Sequence, residues 1–334
     1  MTSMWVWLIA GLVIILAGCD LFTNGVEWLG KKLKLGEGAV GSVLAAVGTC
    51  LPETLIAVLA IVFGRKAGSG GEGIGIGAIL GAPLMLSTLA FFITGFAVIV
   101  FSKTGRRTPE MRVNYAVLGR DLKYFFVVFA LAALASFLPG GIWNYIAAAT
   151  LVILYAVYIR LTFADNSGAE TDEDISPLHF YRRKDEPPLW LVILQSVAGI
   201  GILIVGAHLF VGQMTELGTV TRIPLLVLSL IITPIATELP EKFNSVLWVR
   251  QGKDTLAIGN ISGAMVFQSS IPPAIGLVFT PWDLNPQAIA CVVVALGSAG
   301  VAYAEMAWRK RLSPYSLLIG GLFYVVYLVW VLRA

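Results

Sequence analysis

Apolar residues run along this chain in blocks too long and too continuous for a water-facing helix or strand. Blocks of spanning length occupy residues 4–22, 39–63, 74–101, 124–138, 141–162, 189–210, 224–250, 256–279, 287–307 and 314–332. Each predicts a helix, because a segment in hydrocarbon must satisfy its own backbone hydrogen bonds. The pattern therefore predicts an all-α polytopic membrane protein with ten transmembrane helices.

The charges between the blocks give the pattern a direction. Counting connections from the N-terminus, the odd ones hold eighteen Lys and Arg and the even ones three: Arg65, Lys66 and Arg222. The positive-inside rule then puts odd connections in the cytoplasm and both termini outside. Composition agrees with a lipid partner: 13% of residues are charged, against about 25% in soluble domains. Net charge is only +3 and no basic block exists, so nucleic acid is not an expected partner. The three cysteines, Cys19, Cys50 and Cys291, lie in apolar blocks and do not form a disulfide framework. The N-terminus "MTSMWVW" lacks a basic flank and a small-residue cleavage site, so the first block is expected to be retained. A prokaryotic inner membrane is the expected home. Residues 163–188 are polar, mixed in charge and without apolar period, which predicts a cytoplasmic linker.

That linker separates two copies. At an offset of 188, Leu21-Phe22 falls on Leu209-Phe210, Leu29-Gly30 on Leu217-Gly218, and Leu51-Pro52-Glu53 on Leu239-Pro240-Glu241. After a six-residue difference in loop length, Gly77 falls on Gly259 and Gly81-Ala82 on Gly263-Ala264. The halves are 1–162 and 189–334, each with five expected helices. Five is odd, so the second copy would cross the membrane in the opposite sense. Inverted repeats of this kind are common in secondary transporters, with the substrate site near mid-depth on interrupted helices.

The chemistry gathers at one repeated motif. "GTCLPETL", residues 48–55, places Glu53 as the only charge between residues 39 and 63. Pro52 has no N–H and frees the Gly48 carbonyl; Pro240 does the same to Ala236. Freed carbonyls in lipid need a partner, and a hard cation is one. Glu53 and Glu241, with hydroxyls of Thr49 and Thr237, then make an oxygen cage suited to Ca²⁺ or a similar divalent. An intramembrane acid is a functional candidate by default.

"GTCLPETL", with "ATELPEKF" and "LAIGNISGAMVFQ" in the second half, resembles the paired repeat motifs of the sodium/calcium exchanger family, whose usual form is GTSLPE followed by a GNxxGSN segment. "GRDLKYFF" at 119–126 is similar to the start of that family's fourth helix. The resemblance covers nearly the whole chain. It implies two inverted five-helix repeats and cation antiport by alternating access. It also implies that Glu53 and Glu241 are central ligands, with Thr49, Thr237 and Asn260 beside them. No cofactor is implied, only transported Ca²⁺ and Na⁺ or H⁺.

Several motif positions are changed. The motif serine is Cys50 in one half and Glu238 in the other; family asparagines are Ala78, Pro83 and Met265. Sodium coupling is thereby weakened as an expectation. Glu238 and Lys242 are four apart in the favourable order for a helix pair, and either cancel each other or carry the coupling. A third carboxylate near two others favours proton exchange. A channel or a homologue that binds without transport are the remaining alternatives. An enzyme is not expected, because H-E-x-x-H, G-x-S-x-G and cysteine–histidine arrangements are absent. "GSGGEG" at 68–73 matches a nucleotide fingerprint only formally. Gly77 with Gly81, and Gly259 with Gly263, have the spacing of close helix contacts. Asp20, His208 and Glu305 read as polar residues at helix ends.

Overall fold

The computed structural model describes residues 2–32, 50, 53–62, 71–165, 176–181 and 186–333. The described helices are α1 (Thr2–Lys32), α2 (Glu53–Val62), α3 (Gly71–Met85), α4 (Phe91–Lys103), α5 (Tyr115–Leu134), α6 (Ile142–Asp165), α7 (Leu189–Thr221), α8 (Leu225–Arg250), α9 (Asp254–Gln268), α10 (Ile271–Phe279), α11 (Pro286–Arg309) and α12 (Pro314–Val331). Seven apolar spans among the described residues are long enough to cross a bilayer, and α2 and the start of α8 are shorter apolar helices. Large apolar side chains, including Trp7, Val13, Trp190, Val205 and Leu322, are exposed on the outside, as a lipid-facing surface requires.

Three expected blocks differ in detail. The fourth begins at Tyr115, nine residues early, because Asn114 caps the helix through Ala116 N (3.1 Å) and Val117 N (3.3 Å). The third is continuous but carries a π turn at Leu86–Ala90. There the hydroxyls of Ser87 and Thr88 donate to the Pro83 (2.7 Å) and Leu84 (2.5 Å) carbonyls. The eighth breaks at Ser269-Ser270, because Pro272 and Pro273 cannot continue α9 but fit the first turn of α10. Slid by 182, Ser87-Thr88 fall on Ser269-Ser270, so both halves are irregular at the same place.

Packing rests on close backbone approach. α1 and α7 run antiparallel, and a Cβ on Gly11 would lie 3.0 Å from Phe210 N, one on Gly18 2.9 Å from Leu203 N. The exchanged contacts are also present: Gly199 against Phe22 N at 2.8 Å, and Gly206 against Ile15 N at 2.8 Å. Each pair maps onto its mate at the 188 offset. α3 runs parallel to α8, with built Cβ atoms on Gly77 and Gly81 each 2.5 Å from a carbonyl oxygen, of Leu226 and Leu230. The second glycine pair makes no such approach among the described residues; Gly263 meets only the Tyr158 hydroxyl, at 3.7 Å.

The buried apolar residues form one large core across α2–α6 and α8–α12. A smaller core joins α1 and α7 to the faces of α2, α3 and α8. Connections of odd number meet each other. Arg107 grips Asp254 through both oxygens (2.5 and 2.8 Å), with Arg112 N adding a third bond at 2.8 Å. Part of the stretch expected to be a linker is described and makes a turn. Residues 176–181 turn on a Tyr181 N–Leu178 O bond of 2.8 Å, and Leu178 is fully buried with Trp28 and Val192.

Gly81→Ala is expected to cost about 1–3 kcal/mol, since its Cβ meets backbone that cannot yield. Gly201→Ala, whose Cβ meets nothing within 4 Å, is expected to cost nothing. Equilibrium unfolding in mixed micelles measures both.

Candidate functional site

Glu53 of the first motif lies in α2, 2% exposed, and Thr54 beside it is buried. The Thr54 hydroxyl donates to the Cys50 carbonyl at 3.0 Å. A second donor reaches the same oxygen from the last residue of α9: Gln268 Nε2, at 3.3 Å. Gln268 is 1% exposed. It was missed in the sequence, where Asn260 carried the weight. Its signal was an amide closing an apolar block, in the stretch "GAMVFQ".

Asn260 is half-buried on the same helix, eight residues before Gln268, or about 12 Å along the axis. The structure thus brings Cys50, Glu53, Thr54 and Gln268 together, and sets Asn260 about two turns away from that contact. Gly48 and Thr49 lie outside the described residues. Ala236, Thr237, Glu238, Glu241 and Lys242 lie within α8, which runs unbroken through Pro234 and Pro240; their side chains lie outside the described ones.

α8 is fixed beside the site from α3. Ser229 donates to the Ile74 carbonyl at 2.6 Å and lies 3.1 Å from the Thr233 hydroxyl. Both are fully buried. On the other side, Tyr155 of α6 packs edge-on against Phe267 at 5.6 Å, within electrostatic reach of Cys50. Of the three residues expected at helix ends, Asp20 and His208 lie instead inside the longer helices α1 and α7, and Glu305 lies near the end of α11. Asp20, exposed, pairs with His179 of the linker at 2.9 Å. Glu305 accepts from the backbone and hydroxyl of Ser313, each at 2.9 Å. His208 is exposed on α7.

A buried carboxylate and a polar carbonyl corner inside an apolar helical body define a membrane protein that handles ions. The family model described as sodium/calcium exchanger protein matches residues 3–164 and 191–333, and the chain belongs to that family. Membership places it among integral membrane cation antiporters, not enzymes. The inner membrane protein YrbG of Escherichia coli (strain K12) is 24% identical over 334 residues, covering 97% of this chain and 94% of YrbG. The sodium/calcium exchanger MaX1 of Methanosarcina acetivorans is 22% identical over 347 residues, 96% of each. Among solved structures, the H⁺/Ca²⁺ exchanger CAX superposes with a TM-score of 0.75 at 15% identity, covering 99% of this chain and 87% of CAX.

The Cys50 carbonyl has two donors, so each can be removed singly. Thr54→Val and Gln268→Met are each expected to cost about 0.5–1.5 kcal/mol. The double variant removes both side-chain donors and is expected to cost at least their sum. A double-mutant cycle by unfolding in mixed micelles reads the coupling.

Proposed function

We propose that the chain exchanges Ca²⁺, or a similar divalent cation, for Na⁺ across a prokaryotic cell membrane. The cation is held between Glu53 and Glu241. The observation that carries this is Glu53: a carboxylate 2% exposed on an apolar helix. A charge at such depth costs about 3 kcal/mol uncompensated, and a bound cation compensates it. Glu241 occupies the same motif position in the second half. Thr49, Thr237 and the carbonyls of Gly48 and Ala236 supply further oxygens, toward the six to eight that Ca²⁺ takes. Gln268, by holding the Cys50 carbonyl, shapes the floor of that cage.

The architecture in this reading is ten spans, with halves 1–162 and 189–334 inverted about the 163–188 linker and both termini outside. The exchanged glycine contacts of α1 and α7 support it, as do the matched irregularities at Ser87 and Ser269. The same-side meeting of odd connections supports the orientation. The α1–α7 pair lies outside the large core and meets the rest through the smaller one, which suits it to slide against the rest and alternate access.

A second reading, proton-coupled exchange, is favoured by one observation. The motif serine of the second half is Glu238, four residues before Lys242. That substitution adds a titratable group beside Glu241.

The test is radiolabelled calcium uptake into proteoliposomes under an outward sodium or an outward proton gradient. Sodium-driven uptake is expected, with Glu53→Gln reducing it to the level of empty vesicles. Uptake driven only by protons establishes the second reading. No uptake under either gradient overturns both.

A further inference from the structure

Asp121 is a carboxylate that the cation cage does not use. It lies on α5, 2% exposed, and accepts hydrogen bonds from two other helices. Tyr158 of α6 donates to Oδ1 at 3.0 Å, and Ser262 of α9 donates to Oδ2 at 2.6 Å. Arg120 Nε stands 3.8 Å from Oδ1, and its guanidinium lies over the Tyr158 ring at 5.9 Å. One carboxylate therefore ties α5, α6 and α9 together inside the large core.

The repeat supplies an internal control. "YAVY" at 155–158 has a counterpart in "YVVY" at 324–327, so Tyr158 corresponds to Tyr327. Ser262 corresponds to Leu80 at the 182 offset. The residue that meets Leu80 from the second half is Cys291 on α11, beside Tyr327: its thiol donates to the Leu80 carbonyl at 3.3 Å, while the Tyr327 hydroxyl donates to the Gln287 carbonyl at 3.2 Å. The same corner is built with a neutral thiol there. The fold does not demand a charge at this position, so the carboxylate answers a need particular to α9.

The route from Asp121 to the site is short. Ser262 is six residues before Gln268, about 9 Å along α9 and about 120° around it. The carboxylate thus holds one side of α9 while Gln268 presents another side to Cys50. Tyr158 stacks on Tyr155 at 6.0 Å, and Tyr155 in turn packs on Phe267, the neighbour of Gln268. Both contacts fix the rotation and depth of the end of α9.

We propose that Asp121 is a positioning residue for the cation site: through Ser262 and Tyr158 it sets α9 so that Gln268 meets the Cys50 carbonyl beside Glu53. This rests on the reading of Glu53 as a cation ligand. Removing an outer support of a metal ligand typically weakens the site about 10–100-fold.

Two readouts separate this inference from the reading beneath it. The first is the rate of Cys50 modification by N-ethylmaleimide without cation, in full-length protein carrying Cys19→Ser and Cys291→Ser. Asp121→Ala and Ser262→Ala are each expected to raise that rate about tenfold, Ser262→Thr to restore it, and Tyr327→Phe to leave it unchanged. The second is the calcium dependence of uptake. Half-saturation is expected to rise about tenfold with maximal rate within about twofold, and the double variant to be no worse than the worse single. Unchanged Cys50 reactivity in a folded Ser262→Ala protein overturns the positioning role. So does a fall in maximal rate and thermal stability with half-saturation unmoved. Altered Cys50 reactivity in a protein that moves no calcium keeps the positioning role and rejects the cation reading alone.

Discussion

No solvent around these helices can accept or donate a hydrogen bond, and the whole structure answers to that. At several places among the described residues where the backbone leaves regular helix, a side chain takes up what is released. At the π turn, Ser298 of α11 donates to the Ser87 carbonyl at 2.6 Å. Near the break between α9 and α10, Ser270 donates to Val266 at 2.6 Å. Past α10, the buried Trp282 donates to the Ala132 carbonyl at the end of α5. The Cys50 carbonyl likewise takes side-chain donors, from α2 and α9. The candidate site is the place where this rule meets a carboxylate.

The same constraint decides how the helices pack. Lipid gives little hydrophobic drive between helices, so contact comes from backbones brought close by small residues. The glycines of α1 and α7, and those of α3 against α8, do this. They leave α1 and α7 as a tightly matched pair on a modest second core, while the other helices share the large one. The chain is thus divided into a two-helix layer and a broader body, and the ends of α2 and α9 that carry the site lie in the body. Asp121 adds rigidity on the far side of α9, where its counterpart in the other half needs none.

Much of this is legible from residues. The all-α membrane body reads well because lipid excludes alternatives, and Glu53 stands out because it is the lone charge in its block. The start of α5 did not, because Arg120, Asp121 and Lys123 look like a loop until the partners of Arg120 and Asp121 on α6 and α9 are known. The π turn has no local sequence rule; it depends on Ser298, far along the chain. Pro272-Pro273 mark the break before α10, which a block read on length and hydropathy alone passes over. Gln268 was overlooked because the family resemblance drew attention to Asn260, and only the fold shows which amide reaches Cys50. The linker's composition hid its turn, because Leu178 finds Trp28 only in three dimensions.

That turn has a consequence for how the molecule is assembled. Residues 176–181 come just ahead of α7 in synthesis, and they are fastened to α1: His179 N donates to Asn24 at 3.1 Å, and Asn24 and Trp28 donate to the Ser176 carbonyl at 3.2 and 3.0 Å. Gln195 completes the seam, bonding the Leu21 carbonyl and Asn24 at 2.9 Å each. The stretch between the halves therefore works as a guide as well as a tether. It delivers the leading end of α7 to the trailing end of α1, in register for the two glycine faces to close along their length.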